Sequence, residues 1–170
     1  RPERRAETDR MIFGTSSCTN LGIGFRACAG GRLFGSGSVL LLLVNGIFIG
    51  AVAGHLTGRG DHETFWPFVS GHGSFELTAI VICGASGLIL GHALIAPGQQ
   101  TRLQSLKRRA REALQLVMGA ALMLLLAAFI EAFWSSSGVP AGIKYGVAAL
   151  LWLLVALYLG VAGRGARGAG

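Results

Sequence analysis

The chain has 170 residues, 52% hydrophobic and 14% charged, with 15 basic against 8 acidic side chains and a net charge of +7. Its mean hydropathy is +0.57. So little charge excludes a disordered chain and falls short of the roughly one-quarter charged residues of soluble domains, which leaves a single-domain polytopic membrane protein. The basic residues lie between apolar runs, so they read as topology and lipid contact, not as a nucleic-acid footprint.

In chain order, residues 1–10, RPERRAETDR, form a polar tail without a signal-peptide pattern. The absence of an initiating methionine is what a fragment or trimmed chain would show. Met11–Gly31 has the length of a span but carries Asn20, Arg26 and several glycines. It fits a span facing other helices, a re-entrant segment or a surface helix. Leu33–Gly54, Leu77–Thr101, Ala113–Ile130 and Tyr145–Gly163 are apolar and almost free of charge, each near the roughly 20 residues a spanning helix needs. Residues 11–163 are therefore expected to form one all-α transmembrane helix bundle, with four spans and an N-terminal segment left open. Residues 164–170 form a short basic tail. Cys18, Cys28 and Cys83 lack a CxxC or zinc spacing, so they read as packing residues, and no metal or cofactor is predicted.

Cytoplasmic loops are enriched in Lys and Arg. The loop 99–112 carries Arg102, Lys107, Arg108, Arg109 and Arg111 and is placed inside. Within it, Leu103, Leu106, Ala110 and Leu114 recur at helical spacing, which suggests a basic amphipathic helix on the inner leaflet. The loop 59–72 balances Arg59 against Asp61 and Glu63 and is placed outside. Arg32 and the tail with Arg164 and Arg167 then lie inside. A first segment that crossed would put the basic N-terminus outside, against the rule. A re-entrant or interfacial segment avoids this.

Gly46, Gly50, Gly54 and Gly58 recur every four residues, Gly87 and Gly91 repeat the spacing, and Ala128 and Ala132 form a further small pair. Small residues let helix backbones approach closely in lipid, so this face is expected to pack against a neighbouring helix. Ionisable residues in spans default to a functional hypothesis. His55, His72, Glu76, Glu131 and Lys144 are expected at similar depth near the outer face, with Trp66 and Trp134 in an aromatic belt. His72 and Glu76 share a helix face at i, i+4. Glu76 is expected in the first turn of its helix, favoured by the dipole, and Glu131 is expected to pair with Lys144 or a histidine. No Walker loop, nucleophile elbow or HExxH motif stands in the chain, and no enzymatic activity is expected.

The stretch HGSFELTAIVICGASGLILGHALIAPGQQTR at 72–102, AAFIEAFW at 127–134 and NLGIGFRACAGGRLFGSGSVLLLLVNGIFIGAV at 20–52 resemble the stage II sporulation protein M family. The resemblance covers roughly residues 11–162. The positions it carries over are Asn20, Phe25, Gly30, Asn45, Gly46, His72, Gly73, Glu76, Gly87, Pro97 and Glu131. Arg32 stands where the family has an apolar residue, and relatives have a longer region before Asn20. The resemblance implies an integral protein of the bacterial inner membrane. In endospore formers the family member belongs to the machine that remodels septal peptidoglycan during engulfment, beside a lytic enzyme. The expected role is to scaffold or anchor a membrane complex, with the bilayer and envelope proteins as partners, no nucleic acid, and self-association open. The alternative is a transporter or lipid-handling protein that uses the outer-face carboxylates.

Overall fold

A computed structural model describes residues 2–162. Five helices follow one another: α1 (Pro2–Ala29), α2 (Ser36–Gly58), α3 (His62–Ile95), α4 (Arg102–Phe129) and α5 (Ala141–Ala162). A 3-10 turn, Gly30–Arg32, follows α1, and a π-helical stretch, Ile130–Ser135, continues α4. Among the described residues there is no strand, as expected for an all-α bundle. Four helices are long and apolar enough to cross a membrane: 36–58, 62–95, 102–135 and 141–161.

The polar segments between the runs are more helical than their composition suggests. The loop placed at 59–72 shrinks to Arg59–Asp61, because α3 starts at His62 and continues through Pro67. Trp66 Nε1 donates to Thr57 Oγ1 at 3.2 Å, tying the start of α3 to the end of α2. Glu76 therefore lies about four turns into its helix, not in the first turn, and the dipole argument for it falls away. The basic residues Arg102, Lys107, Arg108, Arg109 and Arg111 are not in a loop or a separate surface helix. They occupy the first turns of α4 itself. That helix starts at a reciprocal cap, in which Thr101 Oγ1 accepts from the Gln104 amide at 3.3 Å and Gln104 Oε1 accepts from the Thr101 amide at 3.1 Å. No Gly or Pro interrupts the path from this cap into the span, and Arg109 pairs with Glu112 at 2.9 Å on the way.

Helix α1 is continuous from Pro2, so the polar tail is helical from its second residue. It is neither a re-entrant loop nor a surface helix: it packs against both α3 and α4. Ala27 joins Ala79, Ile80, Cys83, Ala120 and Leu124 in the buried core. Gly24 faces Cys83, and Gly31 faces Gly87, so α1 runs parallel to α3. Its N-terminus lies at the end of the bundle that carries the Arg59–Asp61 connection. The basic tail at 164–170 lies outside the described residues.

Helix α3 is central and touches each of the other helices. The closest backbone approach is at its C-terminal half. A Cβ on Gly87 would lie 2.7 Å from the Ala27 carbonyl oxygen and 2.9 Å from that of Cys28. One on Gly91 would lie 2.7 Å from Gly35 Cα, and one on Gly30 would lie 2.7 Å from the Gly37 carbonyl carbon. Ser38 Oγ, fully buried, donates to the Ala27 carbonyl at 2.7 Å. Gly35 itself turns the chain at φ 85°. Ala128 and Ala132 are also fully buried.

The glycine stripe of α2 behaves otherwise. A Cβ at Gly46, Gly50, Gly54 or Gly58 would meet nothing within 4 Å. The expectation that this stripe packs within the chain is overturned. Spacing puts four glycines on one face, but it does not say which way the face turns. Helix α2 docks through its first turns, at Gly37, Ser38 and Leu42, and turns the stripe outward.

Candidate functional site

A cavity of about 420 Å³ lies between α1, α2 and α3 and is closed at its floor by the π-helical stretch. Phe48, Ile49 and Val52 of α2 face Phe65, Phe68 and Val69 of α3 across it. The floor is polar. Asn20 comes from α1, His72 and Glu76 from α3, and Glu131 from the π stretch.

Each polar group is positioned by a recognisable local feature. His72, 5% exposed, sits with Nδ1 3.0 Å from Ser135 Oγ. Its ring meets Phe68 edge to face at 5.3 Å, and its Nε2 lies 4.0 Å from Glu76 Oε2. The tautomer of the ring decides which of Nδ1 and the Ser135 hydroxyl donates. Asn20 and Glu131 line the same cavity as Glu76. The π stretch inserts an extra residue into α4. Such insertions recur at functional sites because they redirect side chains within a helix. Here the stretch supplies both Glu131, to the floor, and Ser135, to His72.

Lys144 was expected beside Glu131, but it is engaged elsewhere. It is 8% exposed, and its Nζ donates to the carbonyls of Ser135 at 2.7 Å and Ser137 at 2.8 Å. The carbonyls at the end of a helix have no intrahelical donors and attract cations, so they take the ammonium. Ser135 thereby joins Lys144, through its carbonyl, to His72, through its hydroxyl. His55 stays on the exposed end of α2 and does not line the cavity. His72, Glu76 and Glu131 come together, Lys144 lies one residue removed, and His55 lies apart. Sequence reading missed Ser135 and the aromatic wall of Phe48, Phe65 and Phe68. A serine four residues after Glu131 was the available signal for the first. Among the described residues, no group of three or more His, Cys, Asp or Glu is placed to hold a metal ion.

Helices that can cross a bilayer four times, with ionisable side chains held between them, define a multi-pass integral membrane protein. A family model described as Stage II sporulation protein M matches residues 3–136, and the chain belongs to that family. The match includes every residue that lines the cavity and ends one residue after the π stretch; α5 lies beyond it. No curated protein and no solved structure matches the chain.

Proposed function

We propose that the protein is a non-enzymatic scaffold or anchor in the bacterial cytoplasmic membrane, holding a complex that acts on the cell envelope. The observation that carries this reading is the outward face of α2. None of its apolar 18-residue window is buried within the chain, and its glycine stripe is open along its length. The connections between helices, Arg59–Asp61, 96–101 and 136–140, are short, so a partner meets helix faces more than loops. Family membership supports the link to the septal peptidoglycan machinery.

A second reading, a transporter or lipid-handling protein, is favoured by the cavity and its two carboxylates. Glu131 separates the two. Its side chain shares the cavity with the carboxyl of Glu76 and makes no salt bridge with Lys144. Both Glu131→Gln and Glu131→Leu are therefore expected to fold, with thermal stability in detergent equal to or above that of the parent. For a scaffold, both variants complement a deletion strain and co-extract the same proteins in mild detergent. A folded Glu131→Gln protein that fails to complement would overturn the scaffold reading in favour of the second.

The proposed orientation puts the start of α4 in the cytoplasm, since Arg32 and the basic turns at 102–111 lie at the same end of the bundle and outweigh residues 1–10, whose four arginines are offset by three acidic residues at the other end. In a cysteine-free background, Thr64→Cys is expected to react with an impermeant maleimide in intact cells and Gln104→Cys only after permeabilisation. Both positions are exposed, whereas the adjacent Ser105 is 3% exposed and unsuitable. Labelling of Gln104→Cys in intact cells would reverse the orientation.

A further inference from the structure

We propose that the cavity between α1, α2 and α3 is a lateral binding site for the primary-ammonium head group of a membrane lipid, with one chain lying along the α2 wall. The inference deepens the lipid-handling reading, because it names the ligand class of that site. The floor presents the carboxylates of Glu76 and Glu131, with Asn20 beside them. Among the described residues lining the cavity there is no Lys or Arg, and Lys144 is committed to the Ser135 and Ser137 carbonyls. Carboxylates taken out of water are costly unless paired. Glu76 has only His72 Nε2 as an ion-pair partner, at 4.0 Å, and among the described residues Glu131 has no ion-pair or hydrogen-bond partner, so a cation that can donate hydrogen bonds would complete this floor. A primary ammonium has three donors, enough to meet both carboxylates. A quaternary ammonium has none.

The walls argue for a lipid over a free amine. The walls given by α2 and by the first turns of α3, Phe48, Ile49, Val52, Phe65, Phe68 and Val69, are aliphatic and aromatic, while α1 adds Thr15 and Thr19. The rim is not sealed from the membrane, since Phe48, which lines the cavity, is 68% exposed. A volume of about 420 Å³ is at the lower end for small-molecule sites, which run from about 300 to 1,000 Å³. It accommodates a head group and the beginning of one chain, with the rest lying in the bilayer against α2. The π stretch gives the site its shape, since it brings Glu131 to the floor opposite Asn20.

Native mass spectrometry of the full chain in mild detergent tests this with three lipids of identical dioleoyl chains: phosphatidylethanolamine, phosphatidylcholine and phosphatidylglycerol. Phosphatidylethanolamine is expected to bind at least tenfold more tightly than either of the others. Glu76→Gln combined with Glu131→Gln should reduce that preference to near unity. Gly73→Leu provides a second variant that leaves the carboxylates in place. Gly73 lines the cavity, and a Cβ there meets only Val69 Cγ1, at 3.7 Å, so the added side chain grows into the cavity and should exclude the lipid. Equal binding of the three lipids, or an unchanged preference in both variants, overturns the proposal. Displacement of phosphatidylethanolamine by millimolar ethanolamine would assign the site to a free amine and overturn the lipid assignment. Binding and movement are separate: a lipid that binds as expected while Glu131→Gln still complements sustains the site and rejects only the transport reading.

Discussion

Gly87→Ala is expected to prevent the bundle from closing. The added methyl would stand 2.7 Å from the Ala27 carbonyl oxygen and 2.9 Å from that of Cys28, both of them backbone atoms that cannot rotate away. Overpacking a tight core costs typically 1–3 kcal/mol when side chains can adjust. Here the helices themselves must separate, breaking the Ser38–Ala27 hydrogen bond, so the loss is expected at about 3 kcal/mol or more. The measurement is the yield of monodisperse protein and its thermal unfolding in detergent. Gly50→Ala is the control, because a methyl there meets nothing within 4 Å. It is expected to be neutral, or to stabilise by up to about 1 kcal/mol through helix propensity. If Gly87→Ala unfolds at the parent temperature, the close approach of α1 to α3 is wrong.

Lys144→Met is expected to have the next largest effect. The substitution keeps the length of the side chain and its apolar stem but removes the donor. The carbonyls of Ser135 and Ser137 would lose their ammonium partner at the end of the π stretch. Leaving buried polar groups unpaired costs about 1–3 kcal/mol. One buried and one part-buried acceptor freed at once should put this variant toward the upper end. Because Ser135 also holds His72, the loss should reach the cavity floor. Lys144→Arg, which keeps the charge and the donors, is expected to recover part of the stability. The check is a thermal unfolding series of the parent and the two variants. If methionine is tolerated as well as lysine, the capping account fails.

Much of the architecture is a property of single segments, and those parts are legible from composition. An apolar run of about 20 residues buries its own backbone hydrogen bonds only as a helix when lipid surrounds it. The all-α class and the four crossings therefore follow without knowledge of any neighbour. The His72–Glu76 relation is also local, since i, i+4 spacing alone puts both on one helix face. The ends of the helices were less legible, because hydropathy reports where a helix sits in lipid and not how far it continues. The turns of α3 from His62 to Phe75 and of α4 from Arg102 to Glu112 are too polar to be read as membrane, yet they carry the same helix forward.

The rest depends on pairs of segments. Both glycine series have the same four-residue spacing, but Gly87 and Gly91 receive α1 and the turn before α2, while Gly46 to Gly58 face outward. The packing of α1 against α3 and α4 makes that choice for Gly87, and α1 was the segment whose polarity hid its place in the bundle. Lys144 and Glu131 are opposite charges at similar depth, which made a pair plausible from sequence. In the folded chain the ammonium reaches unpaired carbonyls at the end of the π stretch first, and Glu131 turns to the cavity with Glu76. The π stretch itself, Ile130–Ser135, has no local signature: an extra residue is kept in a helix when the surroundings reward the side-chain directions it creates. Those surroundings, His72 on α3 and Asn20 on α1, lie far away in the chain, so hydropathy and spacing could identify the residues of the site but not bring them to one floor.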